Sequence, residues 1–377
     1  MPWEKPDVIS LRREFVELAS QAGSNKRLLC KRYGISSRTG YKWIQRYRQS
    51  GDTGLVDKSR KPKNSPLRTT VSIEQAVLQK RAETGWGGRK IARVLQNEGC
   101  QDVPHPNTIT DILRRNGKIS EEERQKHKAW QRFEREIPNA LWQMDFKGHF
   151  AMLQGRCHPL TVLDDHSRFC ICLQACADET MRTTQFHLTN AFRHYGLPTS
   201  LLCDNGGPWG SGYPSLELTK LTVWLIRLGI EIIHGYPGHP QTQGKDERFH
   251  RTLKAEVLQS HSFTDLLDCQ HHFDAFRDRY NLIRPHEALK LDTPSQHYQP
   301  SPLTFPERLP PVEYDAGHIV RKVQSEGMIS FRGHEFRLCK ALRGHPVRLC
   351  ESTADGCFDV FFCHMKVDQI QLTPAQS

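Results

Sequence analysis

The 377-residue sequence predicts a multidomain chain: α-helical modules in front, an α/β core in the middle and a small all-β domain at the end. Three observations predict this. Apolar residues recur at helical spacing as far as about residue 117. From Pro138, short alternating apolar runs come first, and helical and strand patterns then take turns, as in a mixed sheet covered by helices. From about Val312 only short apolar runs remain, separated by turn residues such as Arg332-Gly333 and Asp355-Gly356, which is the signature of a small antiparallel barrel or sandwich.

Leu11, Phe15, Leu18 and Ala19 lie at helical spacing in residues 10–22, with Ser10 as N-cap. A second short helix fits Asn25–Tyr33. After the turn Gly34-Ile35-Ser36, Ser37 caps a third helix from Arg38 to about Gln49. Helix, glycine-containing turn, helix is the helix-turn-helix arrangement. In the third helix Trp43, Ile44 and Tyr47 form the buried side. Arg38, Lys42, Arg46 and Arg48 remain for solvent or phosphate; such a helix can lie in a major groove of DNA, with Arg38, Thr39 and Lys42 best placed to reach base edges.

Residues 51–70 hold two prolines, two glycines and no helical pattern, so they read as a linker. Lys58, Arg60, Lys61, Lys63 and Arg68 make it basic, suited either to tracking a DNA backbone or to serving as a solvated tether. Helices over Ile73–Glu83, Gly88–Glu98 and Thr108–Asn116, the last capped by Asn107, form a second module over 71–117. Thr108 opens its last helix as a candidate DNA contact. Residues 118–137 are charged and read as a connecting helix.

The core, residues 138–300, begins with strands over Ala140–Met152, His158–Leu163 and Arg168–Leu173. A helix over Thr180–Tyr195, a strand at Ser200–Cys203, a helix over Leu216–Leu228, a strand at Ile230–His234 and a helix over Gly244–Gln259 follow. A Pro-rich stretch, Tyr298–Pro311, leads to the last domain, 312–377. Its strands are expected at His318–Val323, Met328–Phe331, His334–Cys339, Val347–Cys350 and Phe358–Met365.

Composition narrows the function. The chain is 37% hydrophobic and 25% charged, with a mean hydropathy of −0.63. It is too apolar for a disordered chain and not repetitive enough for a fibre. It has no apolar run of membrane-spanning length. The start, MPWEKPDVISLRREF, lacks the apolar centre of a secretion signal, so the expected compartment is the cytoplasm, on the nucleoid. The twelve cysteines include no CxxC pair and are expected to be reduced packing residues. Charge is divided unevenly. Residues 1–140 carry 29 Lys and Arg against 16 Asp and Glu; residues 141–377 carry 24 against 26. The excess positive charge therefore sits in the helical modules, where a polyanion would be bound.

Three carboxylates carry the chemistry. Asp145 lies within the apolar strand Leu141-Trp-Gln-Met-Asp145-Phe, where a lone carboxylate is costly unless it is paired or binds a metal. Asp204 ends a short apolar strand before a glycine turn. Glu247 lies in a helix that Phe249, Leu253 and Val257 can hold on the sheet. Oxygens so arranged suit hard divalent cations, with magnesium keeping positions open for phosphate oxygens. Two such ions can clamp the attacking and leaving oxygens of a phosphodiester displacement. Asp164 and Asp165 read as turn residues. The spacing of His234, His239 and His250 fits no zinc pattern.

WQMDF, CDNG and PGHPQTQGKDERFHRTLKAE resemble the three catalytic blocks of the retroviral-integrase superfamily. Tyr280-Asn281, Arg284-Pro285-His286, Leu289 and Thr293-Pro294 resemble bacterial insertion-sequence transposases. GYKWIQRYR, GWGGRKIARVL and the terminal FRGHEFRL region resemble the single-reading-frame members of that group. The resemblance implies a ribonuclease-H-like core, a DDE triad of Asp145, Asp204 and Glu247, and two Mg2+ ions per site, with Mn2+ as a substitute. Between Asp204 and Glu247 lie 42 residues, a longer interval than retroviral integrases commonly have, and Gly206–Leu228 is read as a loop extension. Lys245, Arg248 and Arg251 around the active helix are expected phosphate contacts. The function implied is a DNA transposase that binds the terminal inverted repeats of an insertion sequence, cuts a strand and joins it to target DNA. It would work as a homodimer or larger assembly on double-stranded DNA and without a membrane. The rivals are a non-catalytic repressor derived from a transposase and a ribonuclease-H-type nuclease.

Overall fold

The computed structural model describes residues 7–58, 69–119, 135–204, 206–210, 218–234 and 244–372. They form two compact units, Met1–Arg68 and Thr69–Ser377. Half of the expected basic linker, including Arg60, Lys61, Lys63 and Arg68, and most of the expected connecting helix lie outside the described residues.

The first unit is three helices: α1 (Val8–Ser20), α2 (Lys26–Arg32) and α3 (Ser37–Ser50). Phe15, Val16, Ala19, Cys30, Trp43, Ile44 and Leu55 make its core. The cap of α3 is Ser36, not Ser37, because the Ser36 hydroxyl accepts from the Thr39 amide at 3.1 Å. Likewise α1 starts at Val8, so Ser10 lies inside the helix rather than capping it. Gly40 is buried where α3 crosses α1, and an added Cβ would lie 2.9 Å from the Phe15 ring.

The second unit opens with α4 (Val71–Thr84), α5 (Gly88–Asn97) and α6 (Pro106–Arg115). Trp86, Ile91, Leu95, Ile109, Ile112 and Leu113 are buried among them. α6 begins earlier than expected: Pro106 takes the first helical position and the His105 ring, not Asn107, caps it.

The core sheet uses β1 (Leu141–Phe146), β2 (Phe150–Ala151), β3 (Arg156–Asp164), β4 (Cys170–Cys176), β5 (Ser200–Cys203) and β6 (Glu231–His234). β4, β3 and β1 run antiparallel to one another, and β5 and β6 continue from β1 in parallel. β2 pairs with the start of β3. One face is covered by α7 (Met181–Tyr195) and α8 (Lys220–Arg227), through Leu188, Phe192, Leu221 and Leu225 packing on Trp142, Met144, Leu160 and Val162. The other face is covered by α9 (Gly244–Leu253) and α10 (Leu266–Asp278), through Phe249, Leu253, Phe273 and Phe276 on Cys157, Leu163, Cys170 and Leu173. The helical ladder loosens by one residue per turn at Lys254–Leu258 and again at Arg279–Ile283.

The end of the chain is antiparallel throughout. β7 (Ile319–Lys322), β10 (Pro346–Glu351), β11 (Cys357–Phe362) and β12 (Met365–Gln371) form one sheet, and β8 (Met328–Phe331) pairs with β9 (His334–Arg337). Arg332 and Gly333 both have positive φ, the two-residue hairpin geometry that glycine makes cheap. The expected single strand Phe358–Met365 is two strands, turned at Cys363 and His364. All twelve cysteines are free, and eight of them are buried, as packing residues should be.

Candidate active site

Side chains alternate along a strand, so the partners of β1 fix where Asp145 points. Trp142 and Met144 enter the core under α7 and α8. Asp145 therefore takes the opposite face, the one under α9. Its partner across the antiparallel pair is Thr161, whose hydroxyl donates to the Asp145 carbonyl at 2.9 Å. In the parallel pair, Leu141 to Gln143 stand against Ser200 to Leu202. Carried two residues further, the same register sets Asp204 beside Asp145.

The electrostatics agree with that register. The Asp145 carboxyl is pushed up to about 7, first by burial and then by the negative charge of Asp204. Asp204 is itself fixed by its neighbours. One carboxylate oxygen accepts from the Gly206 amide at 3.0 Å and from the Trp209 indole. Trp209 is buried and stacks on Phe146, the residue after Asp145, at 5.5 Å. The ring of His234 holds the Asp204 carbonyl at 3.0 Å.

α9 brings the third expected residue. Glu247 is in its first turn and exposed, and His250 follows one turn later on the same side. His250 is largely but not fully buried, with one ring nitrogen 2.8 Å from the Thr161 hydroxyl and the other 3.8 Å from an Asp145 carboxylate oxygen. Burial, aided by the charge of Lys147, pushes the imidazole down to about 4, so it is neutral at pH 7 and its contact with Asp145 is not an ion pair. Sequence reasoning set His250 aside as a poor zinc ligand. Its position three residues after Glu247 was the signal that it shares that side of the helix.

Asp246 is the residue that sequence reasoning did not resolve. It turns away from Glu247, as the helix requires, but inward. It is 2% exposed, and neither carboxylate oxygen has a hydrogen-bond partner among the described residues. Burial raises its carboxyl well above the usual range, and the charges of Asp145 and Asp165 push the same way.

Asp164 and Asp165 are structural, as turn chemistry led us to expect. Asp164 accepts from the Asn139 amide at 2.7 Å and from the amide and hydroxyl of Ser167 at 2.8 and 2.6 Å. Asp165 accepts from the Arg135 amide, Gln143 and Lys245. Lys245, an expected phosphate contact, is thus engaged with a buried carboxylate, whereas Arg248 and Arg251 are exposed. Glu256 faces away from the site and pairs with Arg279 and Arg284. In the other expected DNA-facing set, Arg38, Lys42, Arg48, Lys58 and Thr108 are exposed, while Thr39 and Arg46 are half-buried, Thr39 in the α3 cap and Arg46 5.1 Å from the Trp43 ring.

The donor set near Asp145 is carboxylate oxygen, which fits a hard divalent cation and not a soft one. A buried carboxyl raised by burial and by a neighbouring negative charge, as Asp145 is, is relieved when such an ion lies beside it. Among the described residues, no group of three or more His, Cys, Asp or Glu side chains is close enough together to hold a metal ion. Asp145 and Asp204 lie within electrostatic reach of each other, and the three expected acids are not gathered into one such group.

Comparison with known proteins covers most of the chain in pieces. Two integrase core domain families match residues 135–240 and 228–294. An IS481 family transposase C-terminal domain matches residues 318–377. A homeodomain-like domain matches residues 39–113 and a helix-turn-helix domain residues 11–63. The chain is 30% identical over 160 residues to the insertion element IS476 uncharacterized 39.2 kDa protein of Xanthomonas euvesicatoria, covering 42% of this chain and 44% of that one. It is 27% identical over 159 residues to the insertion element IS407 uncharacterized 31.7 kDa protein of Burkholderia multivorans, covering 42% and 55%. The match thus spans about half the length of these curated relatives. Among solved structures, a simian T-cell lymphotropic virus intasome chain is similar over 78% of this chain and 95% of its own, at 16% identity and a TM-score of 0.40. The HTLV-2 integrase catalytic core domain in complex with magnesium is similar over 44% and 99%, at 17% identity and a TM-score of 0.34.

Proposed function

We propose, from the premise that this chain belongs to the insertion-sequence transposases of the integrase superfamily, that it is a DNA transposase whose polynucleotidyl transfer depends on Asp145, Asp204 and Glu247. The observation that carries the reading is the pair of aspartates on neighbouring parallel strands, under the helix that bears Glu247. The helical modules, matched by helix-turn-helix and homeodomain-like families, support DNA as the partner. The terminal inverted repeats of an element are the proposed recognition sites, with Arg38, Thr39 and Lys42 as readers and Lys58, Thr108, Arg248 and Arg251 among the further contacts. No helix among the described residues is long and apolar enough to cross a membrane.

The three acids would hold divalent magnesium, with manganese as a substitute and two ions per site. Such ions, when bound, neutralise charge on the scissile phosphate. The chain's own contribution is placement. The β1–β5 register aligns Asp145 with Asp204, Trp209 and Gly206 fix one Asp204 oxygen, and neutral His250 packs beside Asp145 without supplying a competing positive charge. In the first reaction water attacks a phosphodiester at the element end, releasing a 3′-hydroxyl and a 5′-phosphate. In the second, that 3′-hydroxyl attacks a target phosphodiester and displaces its 3′-oxygen. Two element ends must meet, so the acting species is proposed to be a homodimer or a larger assembly.

The test is a strand-transfer assay with labelled element-end DNA, wild type against Asp145→Asn. Joined product from wild type alone supports the reading. Equal product from both would reject catalysis at Asp145, and cut but unjoined DNA from wild type would identify a nuclease.

A further inference from the structure

The first unit separates its charges by side. From Leu18 to Gly51 the chain has eight Lys and Arg and no Asp or Glu, and Arg38, Lys42, Arg46 and Arg48 of that run lie in α3. The acids that follow are turned to α1: Asp52 pairs with Arg13 at 2.9 Å and Asp57 with Arg12 at 3.1 Å. The α2 and α3 segment therefore keeps its positive charge uncompensated, as a surface for a polyanion must.

The inner side of α3 is taken up by packing. Gly40, Trp43 and Ile44 are buried. Arg12 of α1, Lys42 and Arg46 lie over the Trp43 ring, at 4.0, 4.4 and 5.1 Å from its centroid. The outer side carries Arg38, Tyr41 and Gln45, all exposed, the Tyr41 ring residue to 53%. Among the described residues, none of these three side chains has a hydrogen bond or an ion pair. At about 100° per residue, Arg38 and Gln45 stand within about 20° of each other around the helix, and Tyr41 lies between them along its axis. Arg38, Tyr41, Lys42 and Gln45 thus have the i, i+3, i+4, i+7 spacing with which a helix lying in a major groove presents side chains to the bases.

We propose that Gln45 is a base reader of α3 that recognises adenine, set beside an Arg38 that recognises guanine. The inference rests on the DNA-binding reading above and deepens it by naming the bases that the first module selects. A glutamine amide donates to adenine N7 and accepts from its N6 amino group, and a guanidinium donates to both guanine O6 and N7. Seven residues of helix rise about 10.5 Å, which is about three base-pair steps of about 3.4 Å along the groove. The two bases are therefore expected about three base pairs apart.

The test is a binding selection with the full chain on a pool of DNA duplexes whose central stretch is randomised. Wild type should enrich a motif holding a guanine and an adenine at that separation. Gln45→Ala should lose the preference for the adenine and keep the guanine. It should bind the duplex selected by wild type about ten- to a hundredfold more weakly, as loss of one bidentate pair does, and a mixed-sequence duplex as well as wild type does. Gln45→Arg should enrich guanine in place of the adenine. Gln45 is exposed, so neither variant disturbs the packing behind α3. An unchanged motif with Gln45→Ala, a wild-type motif without that pair of bases, or equal weakening on selected and mixed-sequence duplexes would overturn the assignment while leaving DNA binding intact. A wild type that enriches no motif would instead overturn the reading on which the assignment rests.

Discussion

The His250 imidazole lies 3.8 Å from an Asp145 carboxylate oxygen and is held there neutral, its other nitrogen bonded to Thr161. A neutral ring anchored on Thr161 packs beside the carboxylate without neutralising it, leaving Asp145 free to bind a cation. His250→Ala is expected to lower strand transfer by roughly tenfold or more, as loss of a group supporting a metal ligand typically does. Raising the magnesium concentration should recover part of the loss. Activity and magnesium dependence identical to wild type would show that the contact is incidental.

Asp145 also predicts a conflict between function and stability. Its folded carboxyl is raised from 3.8 to about 7. The folded state therefore favours the protonated acid. The stabilising effect of protonation is complete below the unfolded value and is lost as pH rises through about 7. Above that pH the metal-free protein carries an ionised, poorly solvated Asp145, a cost on the order of a few kcal/mol at about 1.4 kcal/mol per unit. Asp145→Asn should accordingly raise Tm at pH 8 in the presence of a chelator, with a gain that shrinks towards pH 4. Added magnesium should stabilise wild type more than the variant. A variant less stable than wild type at pH 8 would contradict this account.

Neighbouring aspartates should separate cleanly by their loss. Asp164 satisfies three donors, two from Ser167 in the turn after β3 and one from the Asn139 amide before β1, so Asp164→Ala leaves them buried and unpaired. A loss of about 3 kcal/mol is expected from that mechanism. Asp204→Asn should instead abolish strand transfer with Tm unchanged or raised, because the asparagine side-chain oxygen can still accept from Gly206 and Trp209. Urea denaturation alongside the activity assay distinguishes the two.

Much of this was legible because strand and helix periods are local. Ser200–Cys203 is a short apolar run buried at every residue, and Thr180, where the expected helix begins, is the N-cap of α7. The pairing of Asp145 with Asp204 was not legible from either strand, since register is a property of two segments. α10 escaped because its buried stripe, Cys269, Phe273 and Phe276, is narrow and surrounded by His, Asp and Arg. The turn after β11 escaped because Cys363 takes a positive φ of 52° without the glycine or asparagine that usually marks one. Asp246 was legible as turned away from Glu247 around the helix but not as turned inward: a buried carboxylate without a hydrogen-bond partner among the described residues contradicts the rule by which a sequence is divided into inside and outside.

The seam between the second module and the core gives the last prediction. Glu256 is the carboxylate on which Arg284, Arg279 and the Trp86 indole converge. Glu256 and Arg284 are both largely buried, with side chains 15% and 12% exposed. Removing one partner of a buried pair leaves the other charge uncompensated, which typically costs about 3 to 5 kcal/mol. Glu256→Ala should therefore destabilise the chain by an amount at the lower end of that range, because Arg284 can relax towards the Trp86 face. Trp86→Phe keeps a ring there and gives up only the N–H, so about 1 kcal/mol is expected. If the pair acts through Arg284, Glu256→Ala should cost markedly less in an Arg284→Met background than alone. Equal costs in both backgrounds, measured by urea denaturation, would show that Glu256 holds the seam by some other contact.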